Sequence, residues 1–341
     1  RVRPQNEASE GEVKSCIGTM QPTTNFPKDL GLDAATVGEG LAHMHIKAQQ
    51  AAPARDSLVG FNARARAQVL GWFIQATDCV GLDDYIVHQA VLNVDRYLAR
   101  VDQFDSRRFH VLFIACLSLA MKFAASDDVP VPLSRFLPFL SSGSVSWDDC
   151  ADLECTVLVT LEFEHFSAPT WFEWMQLYAA PMLKLEHTDW TGLESRVQRS
   201  LNRGAPRDRR EQCKVLVLAE FLAETTMFSV HLLHRTSAPV LAAACLVVAL
   251  AELEAPPMVM EAFQQGMRVS AGLLWGEVDM MAVAFEVVQT FQDVRHHREL
   301  AEHLQAKYDR NSRFNVWAWD VRENIRNPVY HCDMIGADAA A

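Results

Sequence analysis

The sequence predicts an all-α protein built as two helical bundles. Three observations carry this. Strand signals nearly vanish from Ala35 onward: β-branched residues do not alternate with polar ones, and no Asn-Gly or Asp-Gly hairpin turn occurs. Apolar residues recur instead with the helical period. And two segments, residues 111–121 and 238–251, are apolar on every side apart from Ser118 and the Ser237-Ala-Pro239 entry to the second. A helix without a polar face must be surrounded by other helices.

The elements follow in order. Residues 1–34 are polar, carry Pro4, Pro22 and Pro27 and show no stable period, so they are expected to form a disordered tail. In residues 64–80, Val69, Trp72, Phe73, Ala76 and Val80 fall on one stripe. In residues 83–100, Ile86, Ala90, Val94 and Tyr97 do the same, with Val87, Val91 and Leu98 beside them. Residues 111–121 make the first central helix, and its small residues Ala115, Cys116 and Ala120 admit close neighbours. Ser146 reads as an N-cap, with Asp148 and Asp149 in the first turn where acids suit the helix dipole, and the helix runs to about Leu161.

The pattern then repeats. Residues 114–121 align with residues 243–250, so that Ala115, Cys116, Leu117 and Ala120 match Ala244, Cys245, Leu246 and Ala249. An amphipathic helix precedes each copy (83–100, then 213–227) and another follows it (147–161, then 278–291). This shared order supports an internal duplication. Between the copies lies a polar, Arg-rich stretch, residues 184–210. Asp208 and Glu211 interrupt its basic residues, so it reads as a solvated linker rather than a phosphate-binding or import segment.

Composition bounds the function. The chain has 341 residues, 50% apolar and 22% charged, the balance of a globular protein of about two domains. A net charge of −12 argues against a general nucleic-acid or anionic-membrane binder, which carries a basic face. The eight cysteines include no Cys-x-x-Cys pair, which suits a reducing compartment. The longest apolar run is too short to span a bilayer. His231 and His234 lack a third ligand nearby, and Asp148, Asp149, Asp152 and Glu154 are accounted for by a helix start, so no metal site and no cofactor are expected. No Gly-rich phosphate loop or Gly-x-Ser-x-Gly occurs, and no enzyme active site is visible.

The motifs resemble a known family. Arg66-Ala-Gln-Val-Leu-Gly-Trp72, Asn93-Val-Asp-Arg-Tyr-Leu98, Leu119-Ala-Met-Lys-Phe123, Leu153-Glu154 with Leu158, Leu161 and Phe163, and Ala168-Pro169-Thr170 resemble, in order, the motifs of a cyclin box. In the second copy, Leu218 to Glu224, Ser237 to Ala244 and Gln305-Ala-Lys-Tyr-Asp-Arg-Asn-Ser-Arg-Phe314 resemble the mitotic, A- or B-type, pattern. The resemblance covers roughly residues 37 to 317. It implies tandem cyclin-box folds, each a five-helix bundle around a buried central helix. The expected domains are an N-terminal box over 35–170, an extended linker over 171–210, a C-terminal box over 211–317 and a tail over 318–341.

The resemblance further implies a regulatory subunit, not an enzyme, whose partner is the catalytic subunit of a cyclin-dependent kinase. Such a subunit holds the kinase C-helix in its active position. The matching kinase-binding residues are Lys122 and Glu154, ringed by Leu119, Phe123, Leu158 and Phe163. Arg66 and Asp95 match a buried structural ion pair. A docking patch for Arg-x-Leu-containing substrates or inhibitors would use Ala65, Gln68, Val69, Trp72, Gln75 and Phe109, where Ala65 and Gln68 replace larger apolar residues and weaken it. Gly71 stands where the family usually has Asp, and Ala124 and Ala125 replace acids. The implied setting is cell-cycle control, at mitosis, in nucleus and cytoplasm. The alternative is a cyclin-fold scaffold or transcription-related adaptor that does not activate a kinase. Neither reading involves nucleic acid or membrane.

Overall fold

The computed structural model describes residues 63–123, 136, 145–164, 169–179, 210–271 and 280–309, all within one compact unit, Gly38–Ala341. The two tails expected at 1–34 and 318–341, most of the linker, Ala124, Ala125, Ala168 and the Ser312-Arg-Phe314 end of the last motif lie outside the described residues.

Every described element is helical. The first bundle comprises α1 (Ala63–Val80), α2 (Asp84–Arg100), a 3-10 turn (Ser106–Arg108), α3 (Phe109–Phe123) and α4 (Trp147–Thr160). The apolar α3 is surrounded by α1, α2 and α4. Its residues from Leu112 to Met121 are all buried, Ser118 included. Caps fix the starts: Asp83 accepts a hydrogen bond from the Tyr85 backbone N at 3.1 Å, and Ser146 Oγ accepts one from the Asp149 N at 3.0 Å.

The second set comprises α5 (Trp171–Ala179), α6 (Arg210–Thr226), a short α7 (Val230–Arg235), α8 (Ala238–Glu252), α9 (Pro257–Ala271), α10 (Met280–His296) and α11 (Arg298–Tyr308). The apolar α8 is packed on by α5, α6, α9 and α10. Here the structure departs from the expected linker over 171–210. Residues 171–179 are a helix whose Trp171, Phe172, Trp174, Met175 and Tyr178 are buried. That spacing is a helical apolar stripe, and it packs chiefly against α8.

Two of the charged clusters inside the protein join these sets. The guanidinium of Arg66 on α1 is paired with the Asp95 carboxylate on α2, with Nη2 donating to Oδ2 at 3.0 Å, and Nη2 also donates to the Met227 carbonyl at 3.2 Å. Lys307 on α11 is buried and paired with Glu224 on α6 and, at 2.6 Å, with Asp84 at the start of α2. His88 on α2 is fully buried against the rings of Trp171 and Phe172, at 5.3 and 5.0 Å. Burial pushes its pKa down to about 3, against the raising effect of Asp84.

The close approach of α11 to α1 accounts for Gly71. A Cβ there would lie 2.6 Å from His303 Cδ2, so a side chain at 71 would strike the His303 ring. The Asp expected from the family pattern does not fit beside this histidine.

Candidate functional site

The site is built where α3 ends and α4 passes it. Lys122 sits in the last turn of α3, where a cation is favoured by the helix dipole. Glu154 sits two turns into α4, after the Ser146 cap has set the start of that helix. Packing of α3 on α4 brings the two side chains into an ion pair. The pair is asymmetric: the Glu154 side chain is 8% exposed and that of Lys122 is 35% exposed. Cys150, one turn before Glu154, points its thiol at Glu154 Oε1 at 3.9 Å. Burial, then the neighbouring Glu154 charge, push that thiol up to about 12, so it stays protonated and can donate.

The apolar residues named with the pair divide into two groups. Leu119, one turn back on α3, is buried and Leu158 is half-buried, so both form the floor. Phe123 and Phe163 stand out from the surface, 58% and 68% exposed. Trp147, at the start of α4, is also exposed, and the Lys122 Nζ lies 5.4 Å from its ring centroid. Val159 adds a further exposed apolar group on α4. Trp147 and Val159 belong to no motif of the sequence. Trp147 reads there only as the first residue after a cap.

The end of α4 is unusual. Its last carbonyls are closed by backbone donors, from Phe163 N to Leu158 O at 2.8 Å and from Glu162 N to Val159 O at 3.0 Å, the double bond pattern of a Schellman cap. Such a cap needs one left-handed residue, ordinarily glycine. Here Glu162 and Phe163 are both left-handed, with φ of 54° and 61°. Two arginines of α2 reach this turn. Arg96 Nη1 donates to the Glu164 carbonyl at 2.7 Å and Arg100 Nη1 to the Thr160 carbonyl at 2.9 Å.

The expected docking patch lies on a different face. Val69 and Trp72 are half-buried on α1, Ala65 is half-buried, Gln68 and Gln75 are exposed, and Phe109 opens α3 in a buried position. Gln75 Oε1 lies 2.9 Å from His303 Nδ1 of α11, so this side chain is engaged within the chain. The histidines weighed as ligands separate: His231 is exposed beside Arg235, and His234 is buried with its pKa lowered by that burial. Among the described residues no group of three or more metal-ligating side chains forms, and no helix is long and apolar enough to cross a membrane.

This arrangement is an ion pair set beside exposed aromatic side chains. It offers a half-exposed ammonium with spare N–H donors, a carboxylate behind it, and a ring of exposed aromatic groups. In protein interfaces generally, apolar area supplies affinity and charge-assisted bonds supply register.

Comparison with known proteins places these residues. Residues 41–165 match the model of the cyclin N-terminal domain. This segment is the part of the chain that resembles a cyclin N-terminal domain. It contains α1 to α4 and every residue of the Lys122–Glu154 surface. The chain is 25% identical to "Cyclin-A1-4" of Oryza sativa subsp. japonica over 150 residues, 43% of this chain and 41% of that protein. It is 25% identical to "Cyclin-B2-1" of Arabidopsis thaliana over 120 residues, 35% of this chain and 27% of that one. The matches thus span less than half the length of these relatives. A viral cyclin from herpesvirus saimiri superposes with a TM-score of 0.49 at 13% identity, over 77% of this chain and 97% of that structure. The likeness to A- and B-type cyclins is thus present but divergent.

Proposed function

We propose that this protein is the regulatory subunit of a cyclin-dependent Ser/Thr kinase in cell-cycle control. It binds the kinase beside its C-helix and holds that helix in the active position, so that the kinase assembles its own Lys–Glu pair and metal site. The protein contributes no catalytic group. Its effect is a population shift, and it works only if the surface binds the active kinase better than the inactive one.

The observation that carries this reading is the Lys122–Glu154 pair set among exposed Phe123, Trp147 and Phe163 within the segment that resembles a cyclin N-terminal domain. Large aromatic groups left in water are unfavourable for an isolated chain and suit an interface core. Lys122, partly exposed, is placed to donate to a kinase carbonyl. Glu154 is placed to accept from a kinase backbone N–H while orienting Lys122. Tandem cyclin boxes, with the helices around α8 as the second, belong to the same proposal. So do action at mitosis and residence in nucleus and cytoplasm.

The test is activation of a purified cell-cycle cyclin-dependent kinase, read as phosphorylation of a Ser-Pro peptide. The wild type should activate, and the Lys122→Ala/Glu154→Ala double variant should lose activation while retaining its fold. Binding without activation would replace this reading with a scaffold. No binding to any such kinase would overturn it.

A further inference from the structure

The turn that follows α4 holds two adjacent residues in a backbone region that side chains rarely adopt. Phe163 at φ 61° is a bulky residue in the left-handed region, and Glu162 beside it is at 54°. Each such residue is strained, and strain of this kind persists only where surrounding contacts over-determine the conformation. The Schellman bonds close the helix end but call for only one left-handed residue. Nor is the second one there to bury the Phe163 ring, which is 68% exposed.

What brackets the strained pair comes from α2. Arg100 donates to Thr160 O just before it, and Arg96 donates to Glu164 O just after it. Arg96 is buried, and its neighbour Asp95 is locked to Arg66, so the anchor is rigid. A pair of guanidinium groups at the C-terminal end of α4 also matches the negative end of that helix. We propose, resting on the reading of this surface as kinase-binding, that Arg96 and Arg100 are positioning residues for Phe163: they hold the 160–164 turn in the left-handed form that presents the ring to the kinase. Neither arginine need touch the kinase to do so.

The experiment compares Arg96→Met, Arg96→Lys, Arg100→Ala and Phe163→Ala in the full chain. Calorimetric titration with the monomeric kinase reads affinity, and amide hydrogen exchange reads the turn. Arg96→Met should weaken binding at least about tenfold and speed exchange at Glu162 to Glu164 by a similar factor, with the amides of α3 little changed. Arg96→Lys, which keeps a donor, should recover most of the affinity. Arg100→Ala should lose about threefold. Phe163→Ala should lose binding with the turn's exchange unaltered. Turn exchange that stays at the wild-type rate, or kinase affinity undiminished in folded Arg96→Met, would overturn the proposal. Should Arg96→Met fail to fold, the exposed Arg100→Ala decides by the same two readouts. If the wild type binds no kinase, the functional reading falls and with it the kinase half of this proposal, while the exchange arm still decides whether the arginines hold the turn.

Discussion

The two central helices, α3 and α8, solve one packing problem and differ in what they leave at the surface. Both are 15 residues long, both are apolar, and both are enclosed by neighbouring helices. They share the Ala-Cys-Leu run, at Ala115-Cys116-Leu117 and Ala244-Cys245-Leu246, where small side chains admit close neighbours. At the shift that aligns these runs, Lys122 falls on Ala251, which is buried. So α3 emerges from its bundle with a cation and an aromatic ring in water, whereas α8 stays inside to its last turn. The feature the two helices share is packing. The exposed pair of a cation and an aromatic ring is present at the end of α3 and not at the end of α8, and that asymmetry supports the proposal that the α3–α4 face binds a partner.

Exchanging the two exits breaks the comparison most severely. Ala251→Lys would bury an ammonium with no built partner and should destabilise by about 4 kcal/mol, read as a fall in the urea midpoint. Lys122→Met, at a half-exposed position, should destabilise by only about 1–2 kcal/mol, because Glu154 loses its partner, yet should abolish kinase activation. Equal stability losses at the two sites would show that the exits are not different in kind.

The joint between the two sets is the next largest effect. Lys307→Met strands the carboxylates of Glu224 and Asp84 in a buried setting and should destabilise by about 3 kcal/mol. Adding Glu224→Gln to that variant should recover part of the loss. A double variant no more stable than the single one would mean the triad is not the tie between α2, α6 and α11.

Much of this was legible in the sequence, and the rest was hidden for identifiable reasons. The two central helices, the Ser146 cap and the selection of Lys122 and Glu154 follow from local pattern or from motif order, whereas the ion pair between those two side chains is seen only in the fold. Helix α5 falls within the expected linker, although its Trp171, Phe172, Trp174, Met175 and Tyr178 carry the helical spacing. Its partner, α8, lies far along the chain, and a short apolar stripe gains meaning only against the surface it covers. The contact of His303 with Gly71, the Lys307 triad and the reach of Arg96 and Arg100 to the end of α4 are all long-range. In the sequence Gly71 is only a weak helix residue; in the fold it is the space that His303 occupies. The exposure of Trp147 is hidden in the sequence because a first-turn residue can face either the core or water.

His88 gives the comparison a pH axis. It sits between α2 and α5, where the two sets meet. Its folded pKa, about 3, lies below the ordinary value of 6.5, so between those values the unfolded chain binds the extra proton. Stability is therefore complete above pH 6.5 and declines as pH falls toward 3, by roughly 2 kcal/mol between pH 7 and pH 5 from this group alone. His234 and His303 are also lowered by burial and add the same sign. Urea unfolding at both pH values should show a smaller decline in His88→Phe than in the wild type. An unchanged decline would assign the acid sensitivity to the other two histidines.

The smallest expected effect separates strain that serves a surface from strain that does not. Helices α1, α4 and α8 all end in the same double-bonded cap. The left-handed residue is Gly81 after α1, Glu162 after α4 and Glu254 after α8. Only glycine takes this conformation without penalty, so Glu254→Gly and Glu162→Gly should each raise stability by up to about 1 kcal/mol, and Gly81→Ala should lower it by a similar amount. The two glutamates then part company. After α8 a single left-handed residue suffices and the turn lies outside the Lys122–Glu154 surface, so Glu254→Gly should leave kinase activation unchanged. After α4 the strained residue precedes Phe163, and glycine there removes the restriction on the path of the next residue. If the turn's stiffness presents the ring, Glu162→Gly should gain stability while losing kinase affinity, an opposition that a purely structural cap cannot produce. A gain in both would mean that Phe163 finds its place by contact with the kinase alone.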